Sequence, residues 1–256
     1  AIDDKSYAVE RLKRDVLCLG HSKIILKSDN ENAVLALLRH SLKALRIESV
    51  ENTQEAHPAA YDPSSNGATE NACQNVAGQI RTIRAYTENK VKRKITVTHC
   101  VFAWMVEHAA WLLTVRQQQD DGITPYKRLR GSNFRTPLLA FGECCMYQVR
   151  AATKPTGLEG KLAPQYLDGV FLGYSRDSPE YLIWDWKKME VIRSRCVNRV
   201  PESQRWQGDK LAGINVTPIG YFHRSTATAT GRREDARSFA DRPAPEDEEP
   251  RTRATC

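Results

Sequence analysis

The amino-acid sequence predicts an α/β unit followed by a small antiparallel β unit and a disordered tail. Three observations carry that reading. Helical and strand periods alternate through the first half of the chain, and one short apolar strand delivers an aspartate, Asp29, at its carboxyl end. Brief β-branched and aromatic runs separated by turn residues then take over. From Arg224 onward Thr, Ala, Arg, Asp, Glu and Pro displace periodic apolar residues.

Taken in order, Tyr7 to Leu19 places Val9, Leu12, Val16 and Leu19 at helical spacing, and Gly20 closes that helix. In "KIILKSDN", Ile24, Ile25 and Leu26 form a continuous apolar run, the pattern of a strand buried on both faces. A second helix follows with Val34, Leu35, Leu38, Leu42 and Leu45 inward, and 49–66 is polar and irregular. The third helix spans about 68–87, with Val76, Ile80, Ile83 and Thr87 toward the core. Glu70, Gln74, Arg81 and Arg84 share its other side. The fourth, about 98–115, is apolar over much of its girth and is expected to be largely buried or packed on two sides.

Further on, "GECCMYQV", "DGVFLGYS", "EYLIWDW" and "EVIRSRCVN" read as strands, with Lys187 and Lys188 at a hairpin between the last two. Trp104 and Trp111 read as core. Trp184 and Trp186 read either as core or as a base-stacking platform, with core favoured; Tyr174 and Tyr181 are treated likewise.

The chain has 256 residues and 41% hydrophobic content, enough for one sizeable core. It has no apolar run of about eighteen residues, so no membrane span is readable. Its seven cysteines (Cys18, Cys73, Cys100, Cys144, Cys145, Cys196 and Cys256) show no zinc spacing and read as reduced intracellular thiols. The six histidines lack ligand spacing as well.

The net charge of +7 lies upstream of the tail, since 224–256 holds seven basic and seven acidic residues. Two segments are dense in it: Arg81, Arg84, Lys90, Lys92, Arg93 and Lys94, then Arg116, Lys127, Arg128, Arg130 and Arg135. A localised basic surface suits a polyanion, and an ordinary solvated surface is the plainer alternative. Taken singly, Asp29 reads as a helix cap or a ligand, and Glu70 as a carboxylate on a helix dipole or a ligand.

The order "LKSDN", "SSNGATEN", "GITPYKRLRG", "FGECCMYQV" and "GVFLGYSRDSPEYLIWD" resembles the integrase region of copia-type retrotransposon polyproteins, over roughly Asp3 to Val200. The resemblance implies an RNase H-like catalytic core followed by an SH3-like barrel. Two aspartates and a glutamate would hold two Mg²⁺ or Mn²⁺ ions, hard cations that prefer oxygen ligands. On that match Asp29 and Glu70 are the second and third catalytic and metal-binding carboxylates, and Asn66 and Gly67 form a mobile lip. DNA would lie along Gln74, Arg81, Arg84, Lys92, Arg93 and Lys94. The partners the resemblance implies are element ends, target DNA and a second copy in a homo-oligomer, and the location a nucleus or retroelement particle.

The match also departs from the family. The first catalytic Asp has no counterpart in the 28 residues ahead of Asp29, because Asp3 and Asp4 fall in the turn into the first helix. The expectation is an amino-terminally truncated core with impaired activity and weak metal sites. The loop before Glu70 is long, the family's Asp-Asn-Gly is Asp29-Asn30-Glu31, and its Arg after the glutamate is Asn71. Expected domains are a partial core at 1–125, a linker at 126–139, an SH3-like unit at 140–206 and a mostly disordered tail at 207–256. The competing functions are an integrase fragment, a non-catalytic nucleic-acid-binding remnant, and a general RNase H-like nuclease, which the downstream barrel disfavours.

Overall fold

Helix α1 (Tyr7–Cys18) begins at Ser6, whose side chain accepts the Val9 N–H, and ends at Gly20, which adopts φ +72°. The computed structural model describes residues 6–28, 31–47, 52–56, 67–149, 157–176 and 178–222. Residues Ala1–Pro218 form one compact unit and Ile219–Cys256 a second; the first is described here.

Strand β1 (Lys23–Lys27) leads into α2 (Asn32–Ile47) and pairs in parallel with β2 (Asn52–Ala56), Ile24 opposite Thr53 and Leu26 opposite Glu55. Two sequence expectations fail here. The polar run Asn52–Ala56 was expected to be irregular; its register against β1, rather than its propensity, makes it a strand. The apolar triplet of β1 is not buried on both faces. Ile24 and Leu26 pack beside Val16 and Leu45, while Ile25 is 66% exposed. Helices α1 and α2 cover one face of this two-stranded sheet, so the strand alternates.

Helix α3 (Gly67–Val91) outlasts its expected end by one turn. Residues 67–75 are all exposed, and Ile83, Thr87 and Val91 are buried farther along. Helix α4 (Cys100–Arg116) packs on α3 and on the sheet below, as its all-round apolarity requires. A short α5 (Pro125–Arg130) starts at the Thr124 cap, with proline in its first turn.

Five antiparallel strands follow: β3 (Cys144–Gln148), β4 (Tyr166–Tyr174), β5 (Tyr181–Asp185), β6 (Glu190–Ser194) and β7 (Val197–Arg199), in the order β6-β5-β4-β3-β7. Helix α6 (Gly157–Leu162) lies between β3 and β4 in sequence. One strand was expected where β6 and β7 stand; the break at Ser194 comes from its hydroxyl, which donates to both Gln148 O and Cys196 O. Gly169 is required in β4, because a Cβ there would lie 2.2 Å from Ile183 Cγ2. The hairpin at Lys187 and Lys188 is set by Asp185, which accepts both backbone N–H groups and also the Tyr147 hydroxyl at 2.6 Å. Trp184 is core at 0% exposure, whereas Trp186 lies past the strand end with Lys210 Nζ 4.3 Å above its ring.

Two stretches expected to lack packing are packed. In the supposed linker, Tyr174 and Tyr181 both donate to Pro137 O, and Leu139 joins the sheet core. Beyond Gln207, where disorder was expected, α8 (Gly208–Ala212) follows the single turn α7 (Glu202–Arg205), and Leu211, Ile214 and Val216 are buried. The Trp104 indole N–H donates to Val216 O at 2.6 Å. His99 accepts the Val101 N–H at Nδ1, so its Nε2 carries the proton and donates to Ala212 O. No described helix is long and apolar enough to cross a membrane.

Between α4 and the sheet, His108 lies against Phe141, Phe171 and Tyr174 with its Nδ1 unpartnered among the described residues. Burial lowers its pKa to about 4. The unfolded chain therefore takes up this proton first, and stability falls as pH drops from about 6.5 toward 4, by roughly 3 kcal/mol in all. Denaturant titrations across that range should show the loss, and His108→Leu should flatten it. An unchanged slope in the variant would assign the proton to another group.

Candidate functional site

Glu70 stands in the first turn of α3, exposed and without a side-chain partner among the described residues. The unpaired N–H groups of that turn favour its charge. Gly67 is the first residue of the helix rather than part of the lip before it, and Asn66 lies outside the described residues. Asp29 does as well. On either side of it, Ser28 follows β1 with its N–H on Ala56 O at 3.4 Å, and Glu31 O accepts the Leu35 N–H as α2 opens. Among the described residues no three His, Cys, Asp or Glu side chains gather to hold a metal ion.

The basic residues expected to hold DNA divide into two kinds. Gln74 and Arg81 are exposed on α3, and neither has a side-chain partner among the described residues. The others are engaged at the corner between α3 and α4. Arg84 donates to Glu88 Oε1 at 3.0 Å and Lys94 to Glu88 Oε2 at 3.0 Å. Arg93 pairs with Asp209 at 3.0 Å. Lys92, in a left-handed turn at φ +54°, donates to Asn89.

Glu88 is therefore the organising group, and the sequence reading missed it. Its spacing of four residues from Arg84 was the available signal. It accepts the Ile95 N–H at 2.8 Å, and that bond, then Lys94 and Arg84, hold its pKa near 2. Its side chain is only 11% exposed, while that of Lys94 is 89% exposed. Such surface pairs are worth about 1 kcal/mol or less, so Lys94, Arg93 and Arg84 remain exchangeable toward a phosphate. The cluster is a reserve of cations behind Arg81, which is engaged by no side chain among the described residues.

A second network was not foreseen. Arg11 and Arg176 share Asp15 and Glu107, with distances from 2.7 to 3.5 Å, and Tyr7 donates to Glu107. It ties α1 to α4 and to the turn after β4. Burial first, and then the Glu107 charge, raise the Tyr7 pKa to about 12, so the phenol stays protonated.

Residues 145–211 match the family model of the retroviral polymerase SH3-like domain. The matched stretch runs from β3 through α8 and takes in the segment beyond Gln207 that periodicity left without an element. It supports a retroelement, integrase-like context for this part of the chain. No curated protein matches the chain.

Glu88→Gln should lower stability by about 1–2 kcal/mol, since a charge-assisted acceptor of a backbone N–H is lost. Denaturation midpoints and faster exchange of the Ile95 amide would register it; unchanged values would remove Glu88 as the corner's organiser.

Proposed function

We propose that this chain is an integrase-type segment of a retroelement polyprotein that binds DNA along the outer side of α3. The observation that carries the reading is the SH3-like match, because the matched strands lie in the same compact unit as the helix bearing Glu70 and Arg81. A carboxylate with no cation paired to it among the described residues, on an exposed helix start, suits a hard divalent ion as one oxygen donor of a set. Glu70 and Asp29 would hold Mg²⁺ or Mn²⁺ on this reading. The chemistry supplied there would be activation of an attacking oxygen and stabilisation of the leaving one in phosphoryl transfer. The protein's own part is to seat the backbone, with Arg81 first and the Glu88-held cations exchanging in behind it. Contacts of this kind position DNA without reading its sequence. An RNase H-like core, a copia-type origin and a nuclear or particle location belong to the same proposal.

A second reading is a non-catalytic nucleic-acid-binding remnant, in which Arg81 and the cations held by Glu88 seat the backbone with no turnover. Strand transfer with Mn²⁺ separates the two. Product that disappears in Glu70→Gln and Asp29→Asn supports the catalytic reading; DNA binding without product supports the remnant. Duplex affinity should fall steeply with salt, and Arg81→Ala should reduce the slope of log K against log salt by about one. A chain that binds no DNA at low salt would end both readings.

A further inference from the structure

A cleft of about 230 Å³ opens between the end of α1, the last turns of α4, helix α5 and the turn after β4. We propose that it receives one unpaired nucleotide of single-stranded nucleic acid, an inference that rests on the polynucleotide reading above and adds a second contact surface to it.

The first argument is chemical. Trp111 and Tyr126 form the wall and Leu19 and Leu129 the lips, the latter two 42% and 45% exposed. The wall is fixed before any ligand arrives: Trp111, Tyr126 and Phe134 meet edge to face with centroids 5.3–5.9 Å apart. The Trp111 indole N–H is buried and has no acceptor among the described residues, so the wall offers the cleft its ring and not a donor. A flat ring complements that lining.

The second argument is charge. Arg176 and Asp15 also line the cleft, but the first is held by Asp15 and Glu107 and the second by Arg11, so two cations and two anions cancel. Arg130 is left uncompensated on the lining, and Lys127 stands one turn before it on α5, both exposed and without a side-chain partner among the described residues. The net field at an otherwise apolar cleft is positive, which suits a ring carrying a phosphate.

The third argument is size. A docked amphipathic helix needs three or four anchors along a groove, whereas this cleft takes one ring. An extended peptide would need backbone partners, and the helical walls of α1, α4 and α5 offer none along their length.

The test measures binding of the full chain to a fluorescent oligothymidylate and to a duplex of the same length. Leu129→Asn and Arg130→Ala alter exposed side chains, and their melting temperatures serve as the folding control. Both should weaken single-strand binding by about fivefold or more and leave duplex binding within about twofold. Leu129→Asn should do so with an unchanged salt slope, because no charge is removed; Arg130→Ala should make the slope shallower. Single-strand affinity indifferent to Leu129→Asn overturns the proposal, as does a parallel loss for both nucleic acids. So does an acidic, leucine-bearing peptide whose binding depends on Leu129 while that of the oligonucleotide does not. If duplex binding still depends on Arg81 in any of these cases, the cleft alone is refuted; if neither nucleic acid binds, the polynucleotide reading falls with it.

Discussion

Helix α4 has no face that water would accept, and the rest of the compact unit is arranged to relieve that. Val101, Trp104, Met105, His108, Ala109 and Val115 form one buried stripe, and every other residue from Cys100 to Thr114 is half-buried, so cover extends well beyond that stripe. Helix α3 takes one side and the β4 region the other. Each fully buried side chain of this size is worth about 1.5–3 kcal/mol against exposure, so two covers are strongly favoured over one. The cost is a buried imidazole. His108 is accepted into the aromatic layer only as the neutral ring, which makes acid the natural solvent for undoing the contact.

The segment after β7 completes the cover. Gly208 passes so close to the end of α3 that a Cβ there would stand 2.9 Å from Val91 O. From that crossing the chain buries Leu211, Ile214 and Val216, and its carbonyls accept from Trp104 and His99. Lys90 lies 5.8 Å from the Tyr86 and Trp206 ring centroids and bonds Glu202, which fastens α3 to the same strap. The SH3-like strands and the long helix are thus joined by residues that the family match itself includes. An exposed Glu70 therefore rides on a helix whose far end is firmly held.

Much of this was legible because burial writes a period into sequence. The four principal helices, strands β1 and β3 to β6, and the hairpin at Asp185 follow from apolar spacing and turn chemistry. What escaped depends on partners distant in the chain. Strand β2 is polar and exists through its register with β1. The strap beyond Gln207 is anchored by backbone acceptors, which leave no mark on composition. At the candidate site, Arg81 could be placed on its helix side, but the state of its neighbours could not. Whether Lys94 is a free cation depends on Glu88, and Glu88 is held by an N–H that is itself offered by a turn.

That dependence bears on how a polyanion would be received. A surface of free lysines and arginines binds any anion at once and keeps no order among contacts. Here most of the expected DNA-facing charge is already balanced by Glu88 and Asp209, and Arg81 has no side-chain partner among the described residues. An incoming phosphate meets Arg81 first. It then competes for Arg84 and Lys94 against a carboxylate that cannot leave, because Ile95 N–H fixes it. Displacement of those cations uncovers the Glu88 charge, which repels the phosphate backbone and limits how far the exchange runs. The corner therefore favours a graded, salt-sensitive grip over a tight one, and affinity must come from several such contacts spread along the chain.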